Sequence, residues 1–275
     1  MHPGRDAGED VRFTLVGGGE ALDDDGLRRL YSYPDAAYPD AASPDAAEPD
    51  SPARLVLRGN AITSLDGGAT TGGTSGGLGG AGDRRLFAVL RELADVIIVG
   101  AGTARAEGYR GARLSAAARQ RRRQRGQSEV PPIALVTRSG VLEHDLPVLA
   151  DSEVAPMVLT CSEAVDGTRS RLGGAAEAID CSAADPTEVD LSVALRRLAE
   201  RGLLRALTEG GPSLLGSFVA GGLLDELCLT SAPVLVAGPA VRIAAGSEEV
   251  LSRMRRAHVM ADDDGYLYAR YVRGR

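Results

Sequence analysis

The segment Leu203 to Val219 constrains the fold most. Leu203–Leu207 is a short apolar run, suited to a strand buried on both faces of a parallel sheet. Thr208, Glu209, Gly210, Gly211 and Pro212 follow, and then Leu214, Leu215, Phe218 and Val219 recur at helical spacing. Pro212 falls early in that helix, where its missing N–H costs no hydrogen bond. A strand, a glycine turn and a helix N-terminus leave backbone N–H groups free for an anion. Glu209 is expected at the C-terminal end of its strand, where open α/β sheets place ligands. Taken alone, the stretch fits either an anion site or an ordinary strand-to-helix turn.

The same grammar recurs upstream. Residues 54–62 predict a first core strand. A glycine-rich stretch follows as far as Gly82, read as a flexible linker or a loop covering a substrate. Asp83 is the expected N-cap of a helix whose apolar face is Leu86, Val89, Leu90 and Leu93. Val96–Val99 predicts another buried strand, leading into Gly100-Ala101-Gly102-Thr103-Ala104-Arg105. The third glycine of a dinucleotide fingerprint is absent there, so that motif is not assigned. Strands are further expected at 133–136, 156–160 and 176–180, with a helix from Leu191 towards Gly202. Arg138 and Ser139 follow the strand at 133–136, where they would suit a 2′-phosphate or a capped turn. A hairpin across Asp262-Asp263-Asp264-Gly265 is expected to add an antiparallel edge to a mostly parallel sheet.

Residues 1–50 read differently. A short strand at 11–16 and a helical turn at 26–33 precede a Pro/Asp/Ala tract with a five-residue repeat. That tract is too poor in large apolar side chains to fold alone. The region is an N-terminal extension, and 51–275 is the main domain. Net charge is −7, which argues against general nucleic-acid binding. All 31 basic residues are arginine, so any phosphate clamp must be built from arginine. The arginine-rich stretch 115–127 carries no aromatic residue and reads as a solvated helix or loop. Cys161, Cys181 and Cys228 lack metal-ligand spacing and read as reduced thiols of a cytoplasmic protein. No metal site, membrane span or signal peptide is expected.

Five motifs in order carry a resemblance to a known family. They are Asn60-Ala61-x-x-Ser64-Leu65-Asp66-Gly67; Asp83-Arg84-Arg85 with Leu90-Arg91; Val99-Gly100-Ala101-Gly102-Thr103-x-Arg105-Ala106-Glu107-Gly108; Glu209 to Leu215; and Asp225-Glu226-Leu227 with Pro233-Val234-Leu235. Across residues 54–272 the chain resembles the pyrimidine reductases of riboflavin synthesis, the reductase half of the bifunctional deaminase-reductase. The resemblance implies a three-layer α/β/α domain like dihydrofolate reductase, a homodimer, and hydride transfer from NADPH to C1′ of a phosphoribosylamino-pyrimidine of the 5-amino-6-(5-phosphoribosylamino)uracil type.

It implies that Thr63, Gly102, Thr103 and Glu107 lie near the nicotinamide or ribose, and that Gly210, Gly211, Pro212, Ser213 and Leu214 cradle the pyrophosphate. Arg138 and Ser139 would lie at the adenosine end. Arg91 and Arg113, with Arg110 in reserve, would bind the substrate phosphate. Ser75 and Glu209 would hold substrate, and Asp66 would lie with Glu209 at the reacting end. Residues 1–50 hold neither His-x-Glu nor Pro-Cys-x-x-Cys, so a deaminase zinc site is not expected. Two alternatives stay open: reduction of another small molecule such as a dihydropterin, and a nucleotide-binding module of the same fold without turnover.

Overall fold

The computed structural model describes residues 11–19, 21–34 and 54–274. The Pro/Asp/Ala repeats beyond Pro34 lie outside the described residues. The N-terminal part forms β1 (Phe13–Leu15), β2 (Ala21–Leu22) and α1 (Asp24–Leu30). Asp23 caps α1 by accepting from the Gly26 N–H at 2.7 Å. The main run is β3 (Val56–Thr63), α2 (Ala81–Leu93), β4 (Val96–Gly100), α3 (Ala101–Ala106), α4 (Ala116–Gln124), β5 (Ile133–Val136), α5 (Pro147–Ala150), β6 (Met157–Thr160), α6 (Ser162–Leu172) and β7 (Glu177–Asp180). It continues through α7 (Leu191–Ala199), β8 (Arg205–Thr208), α8 (Pro212–Ala220), β9 (Glu226–Ser231), β10 (Met254–Asp262) and β11 (Leu267–Arg273).

All these strands join one sheet in the order β2-β1-β10-β11-β9-β3-β8-β4-β5-β6-β7. Pairing is parallel from β9 across to β7 and antiparallel from β9 out to β2. The C-terminal hairpin is therefore antiparallel, and the N-terminal strands continue the sheet beyond it.

Strand periodicity divides the core in two. Ile97, Val99, Leu135 and Leu207 face a cluster containing Leu86, Leu90 and Leu93 of α2 and Ala101 and Ala104 of α3. Val96, Ile98, Ala134 and Ala206 face a second cluster with Val193 and Leu198 of α7 and Leu215 and Phe218 of α8. The neighbouring parallel strands β4 and β8 thus send their chains to opposite faces of the sheet. That reversal opens a crevice at their C-terminal ends, where such sheets bind ligands.

Two local expectations change. The α2 N-cap is Gly80, and Asp83 sits within the first turn. Its carboxyl makes no capping bond and borders the cavity described below. The arginine-rich helix α4 is not simply solvated either. Arg122 is fully buried and donates to the carbonyls of Glu92 (2.8 Å), Ala94 and Ser128 (2.7 Å). It satisfies the C-terminal carbonyls of α2 that have no partner within the helix.

Candidate active site

The crevice is built from two glycine turns placed side by side. Gly100 ends β4 and caps α3, while Gly210 and Gly211 join β8 to α8. The Gly100 N–H donates to the Gly210 carbonyl at 2.9 Å, locking the turns together. Gly210 has φ +93°, a conformation that glycine adopts freely and other residues resist. A Cβ at Gly211 would come within 2.1 Å of Thr103 Oγ1, so the close approach requires glycine there too. No side chain caps α8. The N–H groups of Ser213 and Leu214 lie in its first turn, where the helix offers them no acceptor. This donor set suits a phosphate-bearing cofactor.

A cavity of about 360 Å³ lies against these turns. Asn60, Ile62, Ala69, Thr70 and Phe87 line it together with Ser75, Asp83, Thr103, Glu107, Glu209 and Ile243. A second depression of about 470 Å³ shares Ser75, Phe87, Thr103, Glu107 and Glu209 with the first and adds Arg91, Tyr109, Arg110 and Arg113. The two make one cleft, largely apolar at one end and rich in arginine at the other.

The Arg91–Glu209 pair stands at the junction. Arg91 donates from Nε to Glu209 Oε1 at 2.8 Å and from Nη2 to Oε2 at 2.7 Å. This bidentate pairing matches the planar fork of a guanidinium to a carboxylate. Nη2 also donates to the Tyr109 hydroxyl at 2.9 Å, and the guanidinium lies 4.2 Å from the Phe87 ring centroid. The Glu209 side chain is only 3% exposed, and Arg91 is its charged partner. Arg110 and Arg113 both donate to Asp151, at 2.8 and 2.6 Å, and hold its carboxyl below the usual range. They are 64% and 71% exposed, so an incoming anion can compete for them. Burial raises the Asp83 carboxyl, opposed by its bond to Thr230.

The remaining expected residues fall outside the cleft lining. Thr63 ends β3, its hydroxyl directed to the Ser64 carbonyl at 3.1 Å. Arg138 pairs with Glu188 at 3.0 Å, and the Ser139 hydroxyl accepts from the Val141 N–H. Both follow β5, one strand beyond β4 along the same sheet edge. Asp66 accepts from the Ser64 hydroxyl (2.5 Å) and from the N–H groups of Val236 (3.1 Å) and Ala237 (2.7 Å). Those donors push its carboxyl down to about 2. Asp66 thereby anchors the segment between β9 and β10, which brings Ile243 to the cavity.

Asn60, Phe87 and Tyr109 join the site without having been marked as site residues from sequence. Asn60 lies in the motif containing Asp66, which was a usable signal. Phe87 and Tyr109 gave none, because single aromatics at those positions read as core.

Residues 56–268 match the family described as the RibD C-terminal domain. The chain belongs to that family. A 2,5-diamino-6-ribosylamino-4(3H)-pyrimidinone 5′-phosphate reductase of Methanothermobacter thermautotrophicus is 29% identical over 214 residues, covering 74% of this chain and 93% of that protein. A protein of the same description from Archaeoglobus fulgidus is 26% identical over 184 residues, covering 67% and 82%. Among solved structures, a pyrimidine reductase-like protein of Corynebacterium diphtheriae superposes with a TM-score of 0.70 at 29% identity, covering 80% of this chain and 92% of its own. RibD of Acinetobacter baumannii shares the fold at a TM-score of 0.63 and 19% identity, covering 81% of this chain and 59% of that one. The arrangement of layers and strands in this RibD-family chain is thus that of solved members.

Proposed function

We propose that this chain is an NADPH-dependent reductase of a ribosylamino-pyrimidine 5′-phosphate in riboflavin synthesis. The observation that carries the proposal is the continuity of the cleft. A glycine-turned, largely apolar cavity opens, past a half-buried Arg–Glu pair, into a depression with two further arginines. A cofactor and a phosphorylated substrate have complementary places in it. The names of the two archaeal relatives favour the 2,5-diamino-pyrimidinone over the uracil form as substrate.

When bound, NADPH would supply a hydride to C1′ of the ribosyl group, opening it to a ribityl chain. Gly102, Thr103, Gly210, Gly211, Ser213 and Leu214 would hold the cofactor, with Glu107 and Thr63 nearby and Arg138 and Ser139 towards its adenosine end. Glu107 accepts from the Ser75 N–H at 2.8 Å, and so ties the glycine-rich loop over the cleft. Arg91, Arg113 and Arg110 would bind the 5′-phosphate. Asp83 and Asn60 stand at the other end, where a carboxyl and an amide suit the polar edge of a pyrimidine. Glu209 orients Arg91 and borders both parts of the cleft. These groups accelerate the reaction by positioning.

NADPH oxidation, followed by absorbance with the diamino-pyrimidinone phosphate, its uracil counterpart and dihydrofolate as separate substrates, tests the proposal. Turnover of the first is expected. Turnover of dihydrofolate alone would sink it. We also read the chain as a cytoplasmic homodimer. Its cysteines are buried thiols, and Leu235 (74% exposed) and Leu251 (83%) offer apolar surface to a second copy. Sedimentation equilibrium measures the assembly.

A further inference from the structure

The family match begins at residue 56, so residues 11–34 fall outside it. Side chains from this segment are nonetheless built into the core. Phe13, Leu27 and Tyr31 are fully buried, in the same cluster as Leu86, Leu90 and Leu93 of α2. The C-terminal end of α1 is held by buried charge. The Tyr31 carbonyl accepts from Arg58 at 2.7 Å and the Leu30 carbonyl from Arg270 at 2.8 Å. Both guanidinium groups share the carboxylate of Glu226. Such a fully paired network fixes geometry, whatever its net contribution to stability.

Two contacts lead from this anchor towards the cleft. Arg28 Nε donates to Glu92 at 3.3 Å, and Glu92 is the residue after Arg91 on α2. Arg121 and Arg125 hold the same carboxylate, at 2.7 and 3.3 Å. The Tyr33 hydroxyl donates to the Ala206 carbonyl at 3.0 Å, on the strand that leads into Glu209. The Tyr33 ring is itself fixed under the Arg58 guanidinium, 3.9 Å from its centroid. One segment therefore grips both elements that carry the Arg91–Glu209 pair.

We infer that residues 11–19 and 21–34 are a brace that sets α2 against β8, with Arg28 and Tyr33 as positioning residues for Arg91. This rests on the reading of Arg91 as a ligand of the substrate phosphate. A bidentate pair tolerates little displacement, since hydrogen bonds weaken steeply as their distance and angle depart from the optimum. Arg28 and Tyr33 touch neither cavity, so they act only through the elements they hold.

The test uses the full chain carrying Arg28→Gln together with Tyr33→Phe, and separately the conservative Arg28→Lys. Tyr33→Phe keeps the ring beneath Arg58. KM for the diamino-pyrimidinone phosphate is expected to rise about tenfold in the double variant, with kcat and NADPH affinity within about twofold. Arg28→Lys should restore most of the loss. The Arg91 Nε–H resonance, identified by its absence in Arg91→Lys, should shift in the double variant. An unchanged KM and resonance, even with a lower melting temperature, would reduce the segment to ordinary core and overturn the brace. Equal loss of substrate and NADPH binding would do the same. Should the unaltered protein turn over no ribosylamino-pyrimidine phosphate, the substrate reading fails, and the Arg91 resonance alone decides the brace.

Discussion

Two groups of arginines in this protein are put to opposite use. On α4, Arg121 and Arg125 converge on Glu92, Arg123 pairs with Glu129, Arg119 pairs with Glu153, and Arg122 is buried on backbone carbonyls. Arg121, Arg122 and Arg125 spend their charge on α2, and Arg119 and Arg123 spend theirs in partly exposed pairs. In the cleft, Arg91 is preset by one carboxylate, while Arg110 and Arg113 are largely exposed on a shared Asp151. The denser group is structural and the sparser one faces the ligand space. Density of charge along the chain is therefore a poor guide. What distinguishes the groups is whether each guanidinium borders the cleft at the C-terminal ends of β4 and β8.

The sharpest break in this comparison comes from Arg122. Arg122→Ala leaves the buried Ala94 carbonyl without its donor, takes one of two donors from the Glu92 carbonyl and empties the buried space of the side chain, and should cost about 2–3 kcal/mol of stability. Urea unfolding measures it, and the folded fraction should keep its KM. A variant that stayed stable but lost substrate binding would move α4 into the ligand-binding group. Arg91→Ala should do the reverse. Substrate KM should rise about 10²-fold with NADPH affinity little changed, equivalent to about 2.7 kcal/mol of lost binding. Some stability falls too, because Glu209 keeps a buried charge without its partner. Equal loss of both ligands would mean that Arg91 only supports the fold.

The parts legible in the sequence were those encoded locally. The apolar run to Leu207, the glycines at 210 and 211 and Pro212 specify a parallel strand, a close turn and a helix start, and the structure has all three. Glu209 and Arg91 could be marked as important, but not as each other's partner. They lie 118 residues apart, and only the sheet order brings α2 beside β8. Asp83 satisfies the local rule for a cap by its residue type and the helix after it, but the helix starts at Ala81 with Gly80 as its cap, and Asp83 lines the cavity from the first turn. The tie from α1 to Arg58, Arg270 and Glu226 was equally hidden, since each arginine alone looks like a surface residue.

A smaller effect sharpens the exposed side of the comparison. Arg110→Ala and Arg113→Ala should each raise KM for the phosphorylated substrate only a few-fold, because Asp151 and solvent compete for them and exposed pairs contribute about 0–1 kcal/mol. Raising the salt concentration should weaken substrate binding in the unaltered protein and less so in the double variant, since screening acts chiefly on exposed charges. Isothermal titration across ionic strengths would show it. A salt response that persisted in the double variant would assign the phosphate to Arg91 alone.

The smallest predicted effect concerns a carboxylate that anchors a loop and lies outside the cleft lining. Asp66 is held at about 2 by the Ser64 hydroxyl and the N–H groups of Ala237 and Val236. Its folded-state value is below the ordinary one, so its stabilisation is fully present above about pH 4 and is lost as pH falls through about 2. Asp66→Asn keeps the shape but leaves one accepting oxygen where two are used, so that its NH2 group faces one of the two N–H donors of the segment that carries Ile243. The melting temperature of the variant should lie slightly below that of the unaltered protein at neutral pH, and the gap should close between about pH 4 and pH 2. Comparing the two melting curves across pH cancels the other carboxylates, which titrate alike in both. The variant should retain kcat and raise KM only a few-fold. A collapse of kcat with no change in the melting curves would return Asp66 to the reacting end of the cleft, and the β9–β10 segment would need another anchor.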